Sequence, residues 1–560
     1  MSDPFLDLGP LSARVNVAEH LLGHAAAAPE QEAIVERNGR ARQSCTFGEL
    51  AARTTRLASG LEAHGVRAGD RVAVFVPPGQ DLIAVVWALL RMGALPVLAD
   101  PGMGRERLLG AIERTAPRVL IGVRRALLAR ALFRAPFRSV ELAFSIGPRL
   151  PFRALPLERV EAAGAPEHQP FDAASDSPAA ILFTSGSTGP PKGVRFTHGM
   201  LDAQVRALRE ALAYAPGERD LCGLPAFALF DAALGLTSIF PPIDPARPAT
   251  ADPAALLAVC EEERATTAFL SPALWRRLVP WMETEGRRFA TLRRATSAGA
   301  PLPVDIARRL RALLPEDGEL FTPYGATEGL PVCVIDGATL EGHAERIAAG
   351  AGTPVGAAAP GIELAIAEVT DGPLDGWTRE RALPLGRIGE VLVRGPAITQ
   401  EYDAAPEATR LAKVPHEGGG PAWHRMGDLG RLDDEGCLWF LGRKSHRLET
   451  EQGMLAPIEL ENVFLTSPLV ERCALVGVGP RGRELPVLVV EPAGRPVPRD
   501  EHETAQFITA LRRTARTTPR TAGIKRFLFH PSLPVDPRHN SKIHREELKT
   551  WAEGQLGVSP

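Results

Sequence analysis

An apolar run, Ala179 to Phe183, is followed by six small residues in a row, Thr184, Ser185, Gly186, Ser187, Thr188 and Gly189, and then by Pro190, Pro191 and Lys192. Hydroxyl and glycine residues let the backbone come close to a polyphosphate. Their N–H and O–H groups donate to phosphate oxygens, and Lys192 adds a positive charge. This is not a Walker loop, because Pro191 precedes the lysine and Gly193, rather than Ser or Thr, follows it. A bare Ser/Gly run is most simply a flexible surface loop. The apolar strand ahead of it and the complete pattern argue for phosphate binding instead.

The loop resembles the signature of the adenylate-forming superfamily, which contains acyl-CoA synthetases, luciferases and adenylation domains. Further segments follow in that family's order from about Val72 to Lys542, so the resemblance spans nearly the whole chain. Ser297 to Pro303 is similar to its adenine-binding turn, which implies that Gly299, Ala300 and Pro301 face the base. Thr322 to Glu328 resembles the next motif. The resemblance implies that Tyr324 stacks on adenine beside Gly325, that Thr327 meets the α-phosphate, and that Glu328 helps hold Mg²⁺, a cation that prefers hard oxygen ligands. Gly427-Asp428 matches the motif whose aspartate accepts from the ribose hydroxyls, and Arg443 matches the arginine that opens the hinge and reaches the nucleotide. Lys542 stands where the family carries its adenylation lysine. A flexible ammonium there can bridge the substrate carboxylate and the α-phosphate. Gly389 to Pro396 matches a strand motif with no chemistry assigned. Any one of these residues alone would be solvated surface or a turn cap; the ordered set argues otherwise. ATP and Mg²⁺ are the cofactors implied.

Two departures narrow the chemistry. Acyl-CoA synthetases tend to carry an aromatic–histidine pair where this chain has Phe227-Ala228, and Ser445 replaces the usual Asp or Lys two residues beyond the hinge arginine. The thioester-forming half of the usual cycle is therefore not expected. Leu224 to Ser238, continuing to Pro248, and His530 to Ile543 are similar to the olefin β-lactone synthetases of bacterial hydrocarbon biosynthesis. That resemblance implies a 3-hydroxy acid with alkyl chains as substrate, closed to a β-lactone by its own hydroxyl. It also implies partner enzymes of the olefin pathway: a thiolase-like enzyme, a reductase and a β-lactone decarboxylase. Phe227, Ala228 and Phe230 are candidates for the alkyl pocket, with ordinary core the alternative for each. Asp231 is a candidate for orienting or deprotonating the 3-hydroxyl, against a structural cap or buried hydrogen bond. Two rival readings stay open: a fatty acyl-CoA or acyl-AMP ligase, and a nucleotide-binding scaffold without catalysis.

These residues must be positioned by a large fold. The 560 residues exceed one compact core, so at least two domains are expected. With 45% hydrophobic and 23% charged residues the chain is an ordinary globular protein rather than a disordered one. A net charge of −3 gives no basic excess for nucleic acid. Six scattered cysteines without a CxxC pair argue against a disulfide framework or zinc site, and fit a reducing cytoplasm. The opening stretch lacks an apolar signal core, and the longest apolar stretch, Leu82 to Leu90, is far shorter than the roughly 20 residues of a membrane helix. No transmembrane segment is expected.

Alternating patterns argue for an α/β fold. Leu50, Leu57 and Leu61 mark one buried helix face between Phe47 and His64. A strand at Arg71–Val76, a helix at Asp81–Met92 and a strand from Ala94 to Leu98 follow. Gly427 to Phe440 reads as two strands about an Asp/Gly turn. The resemblance implies a large N-terminal adenylation domain over 1–442, built of stacked αβ subdomains and a β-barrel-like region. A small mobile α/β domain over 443–560 would carry Lys542, with a hinge near Gly442-Arg443-Lys444.

Overall fold

A computed structural model describes residues 12–39, 41–147, 154–183, 191–494, 496–535 and 543–558. Helix Phe47–Ala63 forms where periodicity predicts it. Thr46 accepts from the Glu49 amide while the Glu49 side chain returns to the Thr46 amide, a complete capping box. Leu50, Leu57 and Leu61 are all fully buried along its inner face, and each contributes about 2 kcal/mol of apolar burial.

Two large sheets carry the cavity. In the eight-stranded sheet, strands Arg71–Phe75, Leu95–Leu98, Val119–Val123 and Leu142–Ile146 run parallel, and Leu95–Leu98 also pairs with Pro178–Phe183. Pro178–Phe183 and Gly193–Thr197 form an antiparallel pair, and the Ser/Gly loop joins them. Thr184 to Gly189 lie outside the described residues. The second sheet runs from Ala41–Thr46, antiparallel to Glu32–Asn38, and on through parallel strands Thr237–Phe240, Arg219–Cys222, Thr267–Leu270, Arg294–Ser297 and Glu319–Ala326. It then turns antiparallel through Gly329–Asp336, Thr353–Ala358, Leu438–Arg443, Trp423–Leu432, Gly389–Arg394 and Glu363–Ala367. In the region expected to be barrel-like, this antiparallel part stays open: no closed barrel forms among the described residues.

Beyond Arg443, strands Val470–Val478, Leu485–Pro492 and Arg526–Phe529 make a separate three-stranded sheet. Helices Pro457–Phe464 and Glu501–Ala515 cover one face, around Phe464, Phe507 and Leu511, and helix Arg545–Leu556 covers the other. This part meets the rest through polar contacts at the junction. Lys444 pairs with buried Glu390 at 2.9 Å, Arg447 with Asp371 at 2.8 Å, and Asn462 Nδ2 donates to Gly352 O at 3.1 Å. Among the described residues no helix is long and apolar enough to cross a membrane.

Candidate active site

Three hairpins and turns converge on one cavity of about 1870 Å³. The first element is the turn after strand Arg294–Ser297. Gly299 adopts φ +92°, which favours glycine, and together with Ala300 and Pro301 it presents backbone to the cavity. The second is the antiparallel pair Glu319–Ala326 and Gly329–Asp336, whose tip carries Thr327 and Glu328 into the cavity wall beside Tyr324 and Gly325.

The third is the pair Trp423–Leu432 and Leu438–Arg443, in which Asp428 and Arg443 face each other in register. Asp433 fixes the turn between them by accepting from Cys437 N at 2.9 Å and Trp439 Nε1 at 2.7 Å. Gly427, at φ +67°, bends the strand just before Asp428, and no neighbour would obstruct a side chain there, so the backbone conformation alone asks for glycine.

Asp428 is buried. Its Oδ2 accepts from Tyr324 Oη at 2.5 Å, and its Oδ1 lies 3.0 Å from Arg443 Nη1 without a hydrogen bond of good geometry. One oxygen is therefore held, and the other keeps acceptor capacity. Burial raises the Asp428 pKa, outweighing the attraction of Arg443, while Asp428 holds the Arg443 guanidinium charged. Donors arriving at Oδ1 would offset that burial.

Glu328 sits in a network the sequence did not reveal. Tyr402 Oη donates to its Oε1 at 2.6 Å, leaving Oε2 for another partner. Two cations flank the Tyr402 ring, Lys192 Nζ at 5.2 Å and Lys413 Nζ at 5.8 Å. Lys413 is buried and donates to Thr399 O and, at 3.2 Å, to Thr399 Oγ1; Thr399 in turn donates its amide to Glu328 O at 2.9 Å. Burial pulls the Lys413 pKa down to about 7, against the attraction of Glu328. No motif pointed to Lys413, because a lysine defaults to surface until tertiary structure encloses it. His424, opposite Lys413 in register, is buried and held neutral by desolvation and by that lysine.

From the C-terminal part, His446, Ile543, His544 and Arg545 line the same cavity. Burial and the cations Arg545 and Arg443 push the His446 pKa down to about 3, so its imidazole is neutral at physiological pH. Arg545 is anchored by Glu461 at 2.5 and 2.8 Å. Lys542 itself lies outside the described residues, but Ile543 directly after it is part of the wall.

Two of the three residues named for the alkyl pocket lie on the cavity wall. Phe227 and Phe230 line the cavity, and Phe227 stacks on Phe269 at 3.6 Å. Ala228 does not: it is fully buried in the core, because helix Ala228–Leu234 turns that position away from the cavity. Asp231 does not face the cavity either. It is completely buried and its Oδ2 accepts from Ser238 Oγ at 2.6 Å, so the structural alternative holds for its side chain. The carboxyls of Asp231 and Asp220 and Cys222 Sγ lie within 4.8 Å of one another. Desolvation first, and the neighbouring carboxyl second, raise the Asp231 pKa; desolvation pushes Asp220 up to about 7.

A raised carboxyl pKa costs stability once the unfolded chain ionises. The loss is absent below the unfolded value of about 3.9 and accumulates as pH rises toward the folded values. Asp231→Asn keeps an acceptor for Ser238 and removes that loss. The variant is expected to match the wild type in thermal unfolding near pH 4 and to exceed it increasingly as pH rises above that value. A constant difference across that range would contradict the assignment of a buried, protonated acid.

The AMP-binding enzyme family matches this chain over residues 22–403. The olefin beta-lactone synthetase of Xanthomonas campestris pv. campestris is 43% identical over 98% of this chain and 99% of that protein. Its namesake in Stenotrophomonas maltophilia is 42% identical, covering 93% of each. Among solved structures, the amide bond synthetase McbA of Marinactinospora thermotolerans superposes with a TM-score of 0.77 at 25% identity, over 96% of this chain and 99% of that one.

Proposed function

This chain belongs to the AMP-binding enzyme family and is an AMP-forming ligase that uses ATP, and from that premise we propose that it closes a 2-alkyl-3-hydroxyalkanoic acid to a β-lactone through an acyl-adenylate. The observation that carries the reading is the continuity of the cavity: the nucleotide-side residues Tyr324, Glu328 and Asp428 share it with the apolar wall of Phe227, Phe230 and Phe269. The identity to olefin beta-lactone synthetases over nearly the full chain supports the choice of product.

ATP binds with adenine against the turn Gly299 to Pro301 and Tyr324, and with its ribose hydroxyls donating to Asp428. Lys192 and the loop Thr184 to Gly189 take the phosphates. The free oxygen of Glu328 is a hard donor suited to Mg²⁺, with phosphate and water oxygens completing the shell, and the ion would neutralise phosphate charge.

The substrate carboxylate attacks the α-phosphorus; the α–β phosphoanhydride bond breaks and pyrophosphate leaves. Thr327 orients the α-phosphate. Lys542 offsets the charge that gathers on phosphorus-bound oxygen, brought in by residues 443–560 pivoting near Gly442 to Lys444. The 3-hydroxyl then attacks the acyl carbon. Its proton passes to solvent, the acyl–oxygen bond to AMP breaks with the electron pair leaving on the phosphate, and the four-membered ring closes. An intramolecular nucleophile avoids the entropy of recruiting a second substrate, and loss of AMP drives formation of the strained ring. No thiol takes part. The product would pass to a β-lactone decarboxylase, and the acid would come from a thiolase-like enzyme and a reductase, in the cytoplasm.

Incubation with ATP, Mg²⁺ and a 2-alkyl-3-hydroxy acid, kept cold because β-lactones decompose on heating, is expected to give lactone, AMP and pyrophosphate in equal amounts with or without coenzyme A. A thioester formed only when the thiol is present would replace this reading with that of an acyl-CoA ligase. Bound ATP with no pyrophosphate released would replace it with a scaffold.

A further inference from the structure

The cavity reaches the C-terminal ends of central strands of the eight-stranded sheet. Successive strand residues point to opposite faces, yet Val74 and Phe75 both line the cavity, as do Val76, just past that strand, and Leu98 and Val123, the last residues of theirs. The walls therefore continue onto both faces of the sheet. On the Val74 face, helix Gln80–Arg91 supplies Val86, Trp87 and Leu90, all within the largest core cluster; this is an interior arm. On the Phe75 face, helices Arg105–Thr115 and Arg124–Leu132 supply Leu108, Ile112, Ala126 and Ala129, with Phe137 behind them. This outer arm is apolar along its length, and the exposed Arg107 and Arg125 mark its solvent end.

A single unbranched acyl chain needs one such arm. Two apolar arms that diverge from one carboxyl-activating centre fit an acid with two tails. We propose that the arms hold the two alkyl tails of one branched acid, and that the outer arm is the subsite selecting two-tailed over single-tailed substrates. This rests on the reaction proposed above. Each methylene moved from water to an apolar wall is worth about 0.8 kcal/mol, so losing three or four methylene contacts changes kcat/KM by about 100-fold.

The test compares Ala129→Trp, which fills the outer arm, with the wild type on two synthetic acids: a 3-hydroxy acid with two long tails, and one with a single long tail. Pyrophosphate release is the readout. The ratio of kcat/KM for the two-tailed acid over the single-tailed acid is expected to fall by about 100-fold. An unchanged ratio overturns the proposal. If Ala129→Trp turns over neither acid, the milder Ala126→Leu decides, with a smaller fall in the same ratio expected and no fall counting against the outer arm. Failure of the wild type to release pyrophosphate with either acid would instead strike the underlying reaction.

Discussion

Asp428→Asn is expected to lower kcat/KM for ATP by about 100- to 1000-fold, because truncating one partner of a buried, charge-assisted pair costs about 2–5 kcal/mol. The substitution keeps an acceptor for Tyr324 Oη but places an amide where Oδ1 faces Arg443. Ribose donors lose a charged acceptor, and Arg443 loses its counter-ion in the same step. The diagnostic is specificity. Wild-type enzyme should discriminate strongly against ATP lacking its ribose hydroxyls, and Asp428→Asn should discriminate much less, since a hydrogen-bonding site rejects an analogue only while its own group would be left unpaired. If the variant keeps the wild-type preference, Asp428 does not read the ribose.

Lys542→Ala is expected to slow acyl-adenylate formation by about 1000-fold while leaving the KM for ATP nearly unchanged. Its charge is used only as the α-phosphorus becomes five-coordinate, so kcat and kcat/KM should fall together. Measuring pyrophosphate release in a single turnover isolates that step from ring closure. Lactone formation from a supplied acyl-adenylate should persist in the variant. A large rise in the KM for ATP, with kcat intact, would make the lysine a binding group rather than a catalytic one.

The segments proposed for the nucleotide side were legible because each is local in sequence. Gly299 and Gly427 sit at positive φ, which asks for glycine, whereas Thr327 and Glu328, at a hairpin tip, were marked only by the resemblance of their motif. The helix over Phe47–Ala63 and the two strands around Asp433 were legible for the same reason, being set by period and turn chemistry. The acyl side was not. Ala228 and Asp231 are one and four residues after Phe227, and helical phase turns both away from the cavity while Phe230 meets it. Sequence gave no means to tell that phase within an apolar run. Lys413 and Tyr402 were hidden because their roles come from Glu328, far earlier in the chain, meeting them across two sheets. The two arms were equally invisible, since Val74 and Phe75 are simply neighbours in a buried strand until helices cover both faces.

The proposed order of bond making leaves an isotopic record. A 3-hydroxy acid carrying ¹⁸O in both carboxyl oxygens, converted with unlabelled ATP and water, should yield AMP containing one ¹⁸O in its phosphate. The lactone should keep the other on its carbonyl, with an unlabelled ring oxygen from the 3-hydroxyl. Mass spectrometry of both products reads this directly. AMP without ¹⁸O, accompanied by a lactone that retains both labels, would mean that the hydroxyl and not the carboxylate is activated, and would contradict the account.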